Sequence, residues 1–161
     1  MAAPLDTPGT LRGILLAIFV LGAVGTAGEL LLVGHYEDPW QWLPLALLGA
    51  GLLALAAYGV TRSRLALLAF RGVMVLLPPS ALVGLILHYR ANTEFALESH
   101  PDLTAGALLW EAVQGTAPPT LAPGAMILLG LAGLGYTYRH PRMNPRLGSP
   151  AEAEPPSRFI G

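Results

Sequence analysis

The residues able to do chemistry gather at the ends of apolar segments. Glu29 lies inside the first apolar run, His35 follows that run, and His88 stands where the third run turns polar. With Glu37 and Asp38 between them, they offer hard carboxylate oxygens and imidazole nitrogens, the donors a divalent cation takes. Glu29 is the most informative of the set, because a carboxylate within a membrane span is costly and marks a functional candidate. It follows Gly22 and Gly25 at helical spacings of seven and four and is expected to face packed helices. The competing role is a carboxylate at the membrane interface, paired with Arg90 or bonded to the 34–41 turn. A divalent metal bound by Glu29, His35, His88, Glu37 and Asp38 is one expectation. A bis-imidazole haem held by His35 and His88 is another, weaker because both histidines sit at helix ends.

Asn92, Glu94, Glu98 and Glu111 form a second polar cluster. His88 and Asn92 are four apart, as are Glu94 and Glu98, so each pair shares a face if the third helix continues outward. Arg90 and Glu94 have the same spacing and read as an ordinary ion pair. Glu111 and Gln114 lie beside Trp110 on a short helix and are expected either to dock it or to face solvent. His100 and His140 each precede a proline and read as surface residues.

Several chemistries find no support. There is no cysteine, which removes disulfides and thiolate ligation. No HExxH, EF-hand loop, GxSxG or phosphate loop occurs, and Ser80 has no evident base near it in sequence. The expectation is therefore a non-enzymatic protein. Nucleic-acid binding is not expected, because membrane topology accounts for the few arginines.

The elements that must hold these residues are membrane helices. Of 161 residues, 53% are hydrophobic and 12% charged, against about 25% charged in a soluble domain. The expected fold is an all-α integral membrane protein: a bundle of four transmembrane helices over residues 11–138. The spans fall at about 11–33, 42–60, 70–89 and 121–138, with a short extracytoplasmic amphipathic helix over 102–114 between the third and fourth. About 20 apolar residues cross a bilayer, so the first run reads as a retained helix, with cleavage after Gly25-Thr26-Ala27 as the competing reading. Pro78-Pro79 is expected to kink the third span, and Arg71 to snorkel to the headgroups. Residues 1–10 and the proline-rich 139–161 read as disordered, the latter as a cytoplasmic tail.

Eight of the nine basic residues, all arginines, fall in the N-terminal segment, the 61–71 connection and the tail, and only Arg90 on the opposite side. The positive-inside rule then puts both termini in the cytoplasm. Tyr36, Trp40, Trp42 and Trp110 suit an interfacial belt. Ala46, Ala50 and Ala54, Gly22, Gly25 and Thr26, and Gly130 and Gly133 mark close helix packing.

Size and span count are those of small four-span proteins of the bacterial inner membrane. The leading expectation is an accessory or assembly subunit, recognising a membrane-protein partner, or a second copy of itself, through its acidic outer loops and packed helices. The alternative is binding or transport of a cation at the extracytoplasmic face, and a membrane enzyme built on the same His and Glu residues stands third.

Overall fold

The computed structural model describes residues 7–114 and 121–143, in five helices: α1 (Thr7–Leu32), α2 (Trp42–Thr61), α3 (Arg64–Ser99), α4 (Ala105–Gln114) and α5 (Leu121–Thr137). Among the described residues, α1, α2 and α3 are long and apolar enough to cross a membrane. The apolar α5 is shorter, 17 residues, or about 26 Å at 1.5 Å per residue. Large apolar side chains such as Leu21, Leu53, Val60 and Leu131 point outward from these helices. That surface suits a membrane location, since lipid replaces water around it.

Helix boundaries follow local chemistry. α1 begins at Thr7, inside the stretch expected to be disordered, because Pro8 is acceptable in a first turn whose N–H groups have no intrahelical partner. At the end of α2, Arg62 adopts a left-handed conformation (φ 52°) and its N–H reaches Tyr58 O at 2.8 Å. Ser63 then caps α3, its Oγ accepting from the Ala66 N–H at 3.1 Å. Two residues thus join α2 to α3.

The third element differs from expectation. In place of a span over 70–89, α3 is one helix of 36 residues containing both Pro78 and Pro79. These prolines deprive the Met74 and Val75 carbonyls of their usual donors. Packing explains why the helix survives: α5 meets α3 at this point through Gly130, where an added Cβ would lie 3.0 Å from Met74 O and 2.9 Å from the Pro78 ring. Only hydrogen fits between those backbones. The helix continues to Ser99 and stops before Pro101, whose ring disfavours helical geometry at His100.

α5 packs between α1 and α3, α2 packs on α1 and α3, and α4 lies on α3. The core is Phe19, Leu48, Leu67, Phe70, Met74, Leu77 and Leu129, closed by Tyr58 and Tyr136 at one end. Phe70 stands edge-on to both Phe19 (5.0 Å) and Tyr136 (6.0 Å), tying α1, α3 and α5 together.

α4 starts after Thr104, whose Oγ1 accepts from the Ala107 N–H at 3.4 Å. Its anchor is Asn92 of α3, whose Nδ2 donates to Ala112 O at 2.9 Å. Asn92→Leu is expected to cost about 1 kcal/mol of docking energy. Amide exchange across 105–114 should then speed up about fivefold while α3 and α5 exchange unchanged.

Candidate functional site

Every described acidic side chain lies toward the end of the molecule that carries the 34–41 turn, and that turn is highly organised. Gly34 takes φ +71°, a conformation open to glycine without strain. Its N–H bonds to Leu31 O (3.2 Å), and the His35 N–H bonds to Leu30 O (2.8 Å). This is the paired closure of a Schellman motif, and it sets His35 directly over the end of α1. Beyond it, Asp38 Oδ1 accepts from the Trp40 N–H (2.8 Å), and Gln41 Oε1 accepts from the N–H groups of Glu37 (2.8 Å) and Asp38 (3.2 Å). Side chains of the turn thus take up three of its backbone donors.

Held this way, His35 stacks on His88 of α3, ring centroids 5.7 Å apart and planes inclined by 23°. The two imidazoles line a cleft of about 320 Å³. Its floor and walls are mostly apolar: Leu30 from α1, Leu43 and Pro44 from α2, Ala81 and Leu87 from α3, and Pro123 and Met126 from α5. Asp38, Trp40, Gln41 and Ser80 complete the lining. Ser80 Oγ donates to Leu77 O at 2.8 Å, so its lone pairs remain to face the cleft.

Of the residues singled out by sequence, His35 and His88 converge, and Asp38 joins them in the lining. Glu29 does not. Its side chain is exposed, contrary to the expectation that it faces packed helices. α5 runs antiparallel to α1, with Leu129 facing Gly22 and Gly135 facing Leu15. The buried stripe of α1 runs through Phe19, Ala23, Thr26 and Leu30, and Glu29 lies beside that stripe, covered by none of the described residues. Glu37, Glu94, Glu98 and Glu111 are likewise exposed, whereas Asn92 serves the α3–α4 joint. Gln41 and Trp40 were legible only as belt or turn residues. His140, read as a surface residue, is half-buried; its spacing of four from Tyr136 is the signal that predicts their contact.

The geometry discriminates among ligands. Imidazole lone pairs lie in the ring plane, so near-parallel stacked rings do not aim them at one another across a haem iron. Among the described residues no group of three or more His, Asp or Glu side chains is placed to hold a metal ion. What the pair offers is hydrogen bonding: each neutral ring has one N–H and one bare nitrogen.

Burial pushes the His35 pKa below 6.5, and charge on His88 pushes it the same way. A lowered folded-state value means that the stacked arrangement is at full strength above pH 6.5 and loses stability as pH falls toward the depressed value. In a Trp42→Phe/Trp110→Phe background, Trp40 emission is expected to be quenched by acid with a midpoint below 6.5. His35→Asn should flatten that titration.

No protein-family model, curated protein or solved structure matches this chain.

Proposed function

We propose that this chain is a four-span, non-enzymatic protein of a bacterial inner membrane, with α1, α2, α3 and α5 as its spans and α4 at the outer surface. Arginine placement supports cytoplasmic termini. A cysteine placed at Glu37→Cys, in a chain that has none, should react with an impermeant maleimide added outside intact cells; reaction only after lysis would reverse the topology.

Within that frame the protein binds a small amphipathic molecule in the outer cleft. The observation that carries this reading is the stacked His35–His88 pair in the lining of a largely apolar cavity. Small-molecule sites have this composition: apolar walls with a few placed polar groups that fix orientation. The apolar body lies against Leu43, Ala81 and Met126, and its head accepts a hydrogen bond from an imidazole N–H. A volume of about 320 Å³ lies at the small end of the usual range, about 300–1,000 Å³, and suits a compact ring or short chain. Trp40 borders the site, so its fluorescence reports occupancy. Titration in nanodiscs with decyl-benzoquinone and with decanoic acid should give a saturable change for at least one. A linear, partition-like response to both, unaltered in His88→Ala, would refute the reading.

An accessory-subunit role has its own support. Phe95 is 67% exposed and Trp110 63% exposed on the extension formed by the end of α3 and by α4. Substituting both with Ser should release a co-purifying membrane partner if that surface is the contact, and leave the purified complement unchanged if it is not.

A further inference from the structure

At the arginine-rich end, the turn after α5 folds back across the ends of α1 and α2, with His140 at its centre. His140 Nδ1 accepts from the Arg142 backbone N–H at 3.2 Å, and Nε2 lies 3.4 Å from Tyr58 Oη of α2. The ring stands edge-on to Tyr58 (5.7 Å, 87°) and packs against Tyr136 of α5 (5.5 Å). A neutral imidazole has one N–H. Because Nδ1 accepts, the proton sits on Nε2 and is donated to Tyr58 Oη. The contacts therefore select one tautomer of the neutral ring. His140-Pro141-Arg142 also has the form of Asp38-Pro39-Trp40, where Asp38 Oδ1 accepts from the Trp40 N–H at 2.8 Å. In the second turn an imidazole nitrogen replaces the carboxylate oxygen, and unlike that oxygen it is bare only while the ring is neutral.

We propose that His140 is a proton-operated latch, which when neutral pins the turn over residues 138–143 to Tyr58 of α2 and when protonated at Nδ1 releases it. Protonation sets an N–H against the Arg142 N–H and removes that side-chain acceptor, leaving the turn to its backbone bonds, His140 N–H to Thr137 O (3.2 Å) and Met143 N–H to His140 O (2.8 Å). It also adds a charge where several are already gathered. Arg12 of α1 donates to Arg139 O at 3.0 Å, and Arg62 at the end of α2 lies 5.9 Å from the Tyr58 ring. Arg139 and Arg142 belong to the turn itself. Tyr58 and Tyr136 are the neutral titratable groups that face His140, and α3 reaches the cluster through Phe70, edge-on to Tyr136. None of these groups is a carboxylate. Burial, then Arg12 and Arg142, hold the His140 pKa below 6.5. The released ring takes a proton more readily than the seated one, so the latch is shut above pH 6.5 and weakens as pH falls, by up to about tenfold in closed-to-open ratio per pH unit.

The absence of native cysteine permits a spin-label pair at Val60→Cys and Arg142→Cys, the latter keeping the backbone N–H that His140 accepts from, measured in nanodiscs at pH 7.5 and 5.0. The expected result is one short distance at pH 7.5 and a longer, broader distribution at pH 5.0, with the open fraction up about tenfold. His140→Asn presents an oxygen in place of Nδ1 and cannot take the proton, so it should keep the short distance at both pH values. Nitrogen-15 spectra of the unlabelled protein, assigned by loss of a signal in His140→Asn, should show His140 protonated at Nε2 at pH 7.5. Identical distances at both pH values, an equal acid response in His140→Asn, or an Nδ1–H tautomer would each overturn the proposal.

Discussion

Gly130→Val is expected to destabilise the protein by about 3 kcal/mol, the upper part of the usual range for overpacking. The reason is the rigidity of what the new side chain meets. An added Cβ at Gly130 falls 2.9 Å from Pro78 Cδ and 3.0 Å from Met74 O, a ring and a backbone carbonyl that no rotamer change can move aside. Gly22 differs, because its obstacle is the flexible end of Leu129. Gly25 differs further: a Cβ there meets nothing within 4 Å, and Gly25→Val should change stability by about 0.5 kcal/mol or less. Thermal unfolding of the three proteins in one detergent checks the ordering. A Gly130→Val protein as stable as Gly25→Val would mean that α3 and α5 do not meet at the double proline.

The second large effect is expected at the cleft. His88→Ala removes a hydrogen-bonding group from the lining and leaves the ligand head without that partner, a loss of about 1–3 kcal/mol, or roughly 5- to 150-fold in affinity. His35→Ala should behave alike, with one difference. His88 contributes to the depression of the His35 pKa, so His88→Ala lets the His35 titration drift up toward 6.5, leaving the burial contribution in place. Affinity from Trp40 fluorescence and the His35 titration, measured on the same variant, separate ligand contact from coupling between the rings. Unchanged affinity in both single variants would remove the histidines from the site.

Much of this arrangement was legible in residue order. The apolar runs, the turn at Asp38-Pro39 and the polar exit after Leu87 locate four of the five helices to within a few residues at most ends. α3 was not legible in full, since Pro78-Pro79 argues for a break within any isolated helix. Survival of the helix depends on Gly130, some 50 residues away, and no local pattern relates the two. His35 and His88 were identified by their place at the ends of apolar runs, and the Gly34 turn then brings their rings together. Glu29 shows the limit of periodicity. Its spacing from Gly22 puts it on the same face, yet the buried stripe of α1 runs beside that face, through Phe19, Ala23, Thr26 and Leu30, and spacing alone does not say which stripe a neighbour covers. The His140 contact depends on a chain reversal after α5 that a proline-rich composition conceals.

The most direct test of the central claim, that the cleft under His35 and His88 holds an amphipathic molecule, is native mass spectrometry of the protein released from mild detergent. Released small molecules would be identified by extraction, and metal and haem measured on the same samples. The expected result is one organic compound at near-stoichiometric occupancy in the wild type, lost from His35→Ala/His88→Ala, with metal and haem at background. A wild-type protein that carries nothing bound, or a double variant that retains the same compound at the same occupancy, would contradict it.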